Sequence, residues 1–156
     1  MTMVSARRIE KITHELNAVI SVPGSKSIAN RALVCAALAS GESEISGLPD
    51  GDDTEAMIEG LISLGARIDR THNKVLFRSG IDVSRNDSIT LNARLAGTTA
   101  RFLTAVCGLV SGPTLITGES SLLSRPMNDL HQALLSLGIS VEWRGEAGHL
   151  PVVIHR

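Results

Sequence analysis

The feature that most constrains this chain is that it repeats itself. Ser40-Gly41-Glu42-Ser43-Glu44-Ile45-Ser46-Gly47 is echoed 71 residues later by Ser111-Gly112-Pro113-Thr114-Leu115-Ile116-Thr117-Gly118. Leu61-Ile62-Ser63-Leu64-Gly65-Ala66-Arg67-Ile68 is echoed 73 residues later by Leu134-Leu135-Ser136-Leu137-Gly138-Ile139-Ser140-Val141. A fixed period over much of a chain means one structural unit used twice. A small insertion accounts for the change in offset.

Each unit reads strand, helix, strand, helix, strand, strand. In the first, covering 17–79, an apolar run over Ala18–Val22 predicts a strand, Ser27–Ala39 a helix and Glu42–Ser46 a second strand. The next helix is expected over Thr54–Leu64, capped by Asp52 or Asp53 and ended by a left-handed Gly65. Strands over Ala66–Arg70 and Lys74–Arg78 then flank a turn at Thr71-His72-Asn73. The second unit, 88–156, predicts strand 88–92, helix 98–110, strand 113–117, helix 126–137 and strands 139–144 and 150–155. Pro126 suits the first turn of its helix and Gly138 the end. The fold class is therefore α/β (α+β): two βαβαββ units, each a four-stranded mixed sheet packed with helices.

Composition excludes several functions. The chain carries 15 Lys and Arg against 16 Asp and Glu, with the basic residues scattered. A nucleic-acid surface needs a concentrated positive field and stacking aromatics, yet the aromatics are only Phe77, Phe102 and Trp143. The core must come from Leu, Ile, Val and Ala, with Met57, Leu61 and Leu64 as one stripe of it. Cys35 and Cys107 sit in apolar helical runs and read as small buried hydrophobes. Five histidines without ligand spacing offer no metal site, and no cofactor is expected. Neither a signal peptide nor a membrane span is legible, so a cytoplasmic protein is expected.

The chemistry is written in Val22-Pro23-Gly24-Ser25-Lys26-Ser27-Ile28-Ala29-Asn30-Arg31. Here a strand-like run gives way to a helix. The first turn of a helix presents unpaired N–H groups and a positive dipole end. Lys26 there, with Arg31 one turn beyond Ser27, suits an anion held between them. A serine-capped helix with two solvated cations is the alternative for the motif alone. It is not a P-loop, because Ser25 precedes the lysine and Ile20 replaces the first glycine.

Four motifs in order carry a resemblance: Pro23-Gly24-Ser25-Lys26-Ser27 with Asn30-Arg31-Ala32-Leu33; Asp50-Gly51-Asp52-Asp53-Thr54; Leu95-Ala96-Gly97-Thr98-Thr99-Ala100-Arg101; and Ser124-Arg125-Pro126-Met127. Together they resemble the 5-enolpyruvylshikimate-3-phosphate synthase family. The resemblance implies six α/β units in two domains with the active site between them. It implies that 1–16 belongs to the other domain, that a third unit and most of that other domain are absent, and that this chain is the N-terminal part of a longer enzyme. It implies transfer of the enolpyruvyl group of phosphoenolpyruvate to shikimate 3-phosphate, releasing phosphate through a tetrahedral intermediate. The partners are then these two small molecules and the missing C-terminal part.

Residue by residue, Lys26 matches the lysine lying between the two substrates. Ser27 and Arg31 match residues that hold shikimate 3-phosphate. Gly97 matches a glycine whose backbone approaches phosphoenolpyruvate or the herbicide glyphosate, and Arg125 an arginine on the phosphoenolpyruvate side. Thr98 and Arg101 match positions that shape this pocket. No residue of this chain is assigned with certainty to catalysis, Lys26 being the nearest candidate. Many relatives have Asn where this chain has Leu95, and Pro where it has Phe102. Asp50, Asp52 and Asp53 are read as helix caps. A sister transferase acting on a UDP-amino sugar shares the fold, but its opening loop has an Asn-Gly-Ala-Lys-Asn pattern, unlike Pro23–Ser27. A phosphate-binding module without chemistry is the non-enzymatic alternative.

Overall fold

A computed structural model describes residues 8–71 and 74–156. Seven strands and five helices follow one another among these residues. Residues 8–25 form neither helix nor strand. Helix α1 (Lys26–Leu38) leads to β1 (Ser43–Ser46), α2 (Asp52–Ser63), β2 (Arg67–Thr71) and β3 (Lys74–Ser79). Then come β4 (Ile89–Asn92), α3 (Gly97–Cys107), β5 (Thr114–Thr117), a single turn α4 (Ser120–Leu123), α5 (Asn128–Ser136), β6 (Ser140–Trp143) and β7 (Val152–His155).

The repeat appears in the topology. The first sheet has the order β1-β3-β2, and the second has β4-β5-β7-β6. The run β5-β7-β6 thus copies β1-β3-β2, with both flanking strands antiparallel to the middle one. Strand β4 adds a parallel edge, Ile89 facing Thr114 and Asn92 facing Thr117. Gly65 (φ +100°) ends α2 in the left-handed conformation expected of it, and Gly138 (φ +82°) ends α5, as expected, in the same conformation.

Several expectations need correction. Ala18–Val22 makes no strand, so the first sheet has three strands, all antiparallel, rather than four in a mixed arrangement. Val19 is fully exposed and Ile20 is 80% exposed. Strand propensity reflects a fit to a half-buried pleated surface, and here no apolar face covers the run. Neither Asp52 nor Asp53 caps α2, because the N-cap is Gly51 and both aspartates stand inside the first turn. Pro126 precedes α5 rather than opening it, and α4 was not anticipated. Cys35 is exposed, while Cys107 is buried as expected. Cys35 lies just off the stripe that α1 buries, Ala29, Leu33, Ala36 and Ala37. The expected turn at Thr71-His72-Asn73 falls partly on 72–73, outside the described residues.

The core lies between sheets and helices. Leu33, Met57, Leu61, Leu64, Phe77, Leu103, Ile116 and Ile154 have under 2% of their surface exposed. Helix α2 packs on both α1 and α3. At Gly60 the approach is so close that a Cβ would stand 2.5 Å from Leu103 Cδ1. This packing sets the three helices side by side.

Candidate functional site

Ser25 fixes the entrance to α1, its hydroxyl accepting from the Ile28 amide at 3.5 Å. Lys26 follows as the first helical residue, and no acidic residue occupies that first turn. A cation at this end opposes the helix dipole. Its counter-charge comes from another helix: Lys26 Nζ lies 2.9 Å from Asp53 Oδ2 in the first turn of α2. One turn along α1, Arg31 donates to both the carbonyl and the hydroxyl of Ser27. The Arg31 guanidinium also sits 5.8 Å from the ring centre of Phe102 on α3, within cation–π range.

The second group of residues surrounds the start of α3. Gly97 is its first residue, and Thr98 is exposed beside it. A Cβ built on Gly97 would stand 2.9 Å from Arg125 Nη1 and 3.2 Å from Arg101 Nη1. Arg101 donates to the Gly97 carbonyl at 3.0 Å and to the Pro126 carbonyl at 2.9 Å. It thereby ties the Ser124–Met127 segment to α3. Gly97, Arg101 and Arg125, up to 28 residues apart, form one cluster.

A buried chain of hydrogen bonds joins the two groups. Asn30 Nδ2 donates to Thr99 Oγ1 at 3.3 Å, and Thr99 Oγ1 donates to the Asp53 carbonyl at 2.9 Å. Asn30 and Thr99 are completely buried. The chain spans the opening turns of α1, α2 and α3. The three helix starts are thus held at one end of the helical layer, with Lys26, Arg101 and Arg125 around them. Lys26 and Gly97 do not touch directly; the link runs through Asn30, Thr99 and Asp53.

Sequence reasoning passed over Asp53, Asn30, Thr99 and Phe102 as members of this arrangement. Asp53 stood within a motif but read as a cap. Asn30 was the detectable signal, an amide on the otherwise apolar face of an amphipathic helix. Among the described residues, no group of three or more His, Cys, Asp or Glu could hold a metal ion. None of the described helices is long and apolar enough to cross a membrane.

The model of the family "EPSP synthase (3-phosphoshikimate 1-carboxyvinyltransferase)" matches residues 10–156. The chain belongs to that family. It is 38% identical over 145 residues to 3-phosphoshikimate 1-carboxyvinyltransferase of Laribacter hongkongensis, a match covering 90% of this chain and 33% of that protein. The namesake from Bordetella pertussis is 38% identical over 135 residues, 86% of this chain and 30% of the relative. Among solved structures, EPSP synthase from Acinetobacter baumannii aligns with a TM-score of 0.77 at 26% identity, over 87% of this chain and 31% of that one. The chain therefore spans about a third of the length of the relatives it matches.

Proposed function

We propose that this chain supplies part of the substrate site for transfer of an enolpyruvyl group from phosphoenolpyruvate to shikimate 3-phosphate, with release of inorganic phosphate. The observation that carries the proposal is the placement of Gly97 beneath Arg125 and Arg101 at a helix start. A glycine leaves the Arg125 guanidinium room beside the α3 amides, and a carboxylate or phosphate fits that combination. The relatives' name supplies the reaction.

In this reading Lys26, Ser27 and Arg31 bind shikimate 3-phosphate. Lys26, Gly97 and Arg125 bind phosphoenolpyruvate. Thr98 and Arg101 shape the pocket, Arg101 by holding Pro126 and so aiming Arg125. Lysine offers three N–H donors, so Lys26 can bridge two anions while keeping Asp53. Fixed cations hold the carboxylate and the phosphate of the tetrahedral intermediate and stabilise the charge that builds up on the phosphate as it leaves. Addition of the shikimate hydroxyl across the enol phosphate puts a proton on the methylene carbon, and elimination of phosphate takes a proton back from the resulting methyl group. The residues expected to carry these protons belong to the other two-thirds of the relatives' length. The chain alone then binds substrate without turning it over. Units 17–79 and 88–156 are two members of one domain, with 1–16 contributing to another, in a cytoplasmic enzyme. An apolar groove between α1 and α3, lined by Val34, Leu38, Phe102, Val106 and Leu109, supports a further unit packing there.

A titration of the ¹⁵N-labelled chain with each substrate tests the reading. Shikimate 3-phosphate should shift the amides of Ser27 to Arg31, and phosphoenolpyruvate those of Gly97 to Arg101 and Arg125. Unmoved spectra at millimolar ligand, or shifts confined to other surfaces, would overturn it.

A further inference from the structure

The motif Asp50-Gly51-Asp52-Asp53-Thr54 stands at the start of α2, yet neither Asp52 nor Asp53 caps the helix. Their carboxylates go elsewhere. Asp52 lies 3.5 Å from Arg94, and Asp53 lies 2.9 Å from Lys26. The Asp53 side chain is 23% exposed against 61% for Lys26. Its own carbonyl receives the Thr99 hydroxyl, which in turn receives Asn30. Asp53 is therefore anchored through buried groups to α3 and α1 before its carboxylate is used. Lys26 has no comparable anchor. Its Nζ has one charged partner among the described residues, at the end of a flexible four-carbon stem on an exposed helix start.

An exposed ion pair of this kind adds little to stability. It does restrict the lysine, whose many rotamers otherwise carry considerable entropy. The cost of that restriction is then met in the fold rather than at the moment of binding. We infer that Asp53 is a positioning residue: it holds the Lys26 ammonium at the point where the substrate anion meets it. This rests on the reading of Lys26 given above. It runs against simple electrostatics, because a carboxylate beside an anion site repels the anion. If Asp53 acted through charge alone, neutralising it would strengthen binding.

A double-mutant cycle separates these cases. Shikimate 3-phosphate is titrated, by amide shifts, into the wild-type chain, Asp53→Asn, Lys26→Ala and the double variant. Asp53→Asn should weaken binding about 5-fold, a share of the rotamer freedom that the held lysine regains. In the Lys26→Ala background the same change should leave affinity unchanged or raise it. Asp53→Glu keeps the charge but moves it by one methylene. It should also weaken binding, and it carries the test if Asp53→Asn does not fold. Equal or tighter binding by Asp53→Asn, wild-type affinity in Asp53→Glu, or the same loss with and without Lys26 would overturn the inference while leaving the site intact. A wild-type chain that does not bind, or Lys26→Ala that binds as wild type, would overturn the site reading and the inference with it.

Discussion

Two glycines of this fold should respond to alanine in opposite ways. In Gly97→Ala the new methyl meets Arg125 Nη1 at 2.9 Å and Arg101 Nη1 at 3.2 Å. A relaxed contact is about 3.5 Å, so the Arg125 guanidinium must recoil by about 0.6 Å. Both atoms are the far ends of long side chains, and the backbone of Gly97 is not left-handed. Stability should therefore change by less than about 1 kcal/mol, with the gain in helix propensity offsetting the crowding. Binding should change far more. The methyl takes the space between the helix start and Arg125, where a charge-assisted hydrogen bond worth about 1.5–3 kcal/mol is at stake. Phosphoenolpyruvate affinity should fall at least about tenfold, while shikimate 3-phosphate affinity should change less than about twofold, since Ser27 and Arg31 lie on another helix. Gly60→Ala is the converse control. Its methyl would stand 2.5 Å from Leu103 Cδ1 in the core, and overpacking of this kind costs about 1–3 kcal/mol. Thermal unfolding followed by Trp143 fluorescence, with calorimetric titration of each ligand, measures all of these. Equal loss of both ligands in Gly97→Ala, or a stability loss above about 2 kcal/mol, would refute the reasoning.

Other residues give independent checks. Thr99→Val removes the donor to the Asp53 carbonyl and the acceptor for Asn30 Nδ2, and Asn30 Oδ1 already lacks a protein partner. Urea unfolding should show a loss of about 2–4 kcal/mol, most of it restored by Thr99→Ser. His131 is buried and accepts the Trp143 indole N–H at 3.0 Å. Burial, and next the nearby His149, hold its pKa below the ordinary 6.5. The unfolded chain therefore binds a proton first, so its stability contribution is complete above about 6.5 and is lost as pH falls through the folded value. Stability measured from pH 7.5 to 5 should decline, and His131→Gln should flatten the decline. Burial pushes the Cys107 thiol up to about 12, whereas Cys35 is exposed. A thiol reagent should label Cys35 in the native chain and reach Cys107 only after unfolding.

The repeat carried most of what could be read in advance. Four of the five helices, the chain order of every strand after the first, and Gly65 and Gly138 as helix ends were legible from the repeat and from apolar periods. The strand at Ala18–Val22 failed for a physical reason. A short β-branched run says what can sit in a sheet, while pairing depends on what lies beside it. Cys35 failed by one position on the α1 wheel, beyond the resolution of an apolar run in which nearly every residue is small or aliphatic. At the site, Lys26 stood out because a cation at a helix start is locally odd, whereas Gly97, Arg101 and Arg125 entered only through the family resemblance, a glycine opening a helix and an arginine in a loop being locally ordinary. Asp53 was not, because an aspartate in a first turn is locally ordinary. Its pairing with Lys26 arises from tertiary packing of α1 against α2. Phe102 likewise reads as core by composition, and only the neighbouring helix turns it toward Arg31.

The central claim is that the starts of α1 and α3 form one anion site with Lys26 between two ligands. Crystallising the chain with shikimate 3-phosphate and phosphoenolpyruvate together tests it most directly. The account predicts the shikimate phosphate within hydrogen-bond distance of Ser27 and Arg31, phosphoenolpyruvate against Gly97 and Arg125, and Lys26 Nζ in contact with both. Ligands bound away from these helix starts, or with Lys26 touching neither, would contradict it.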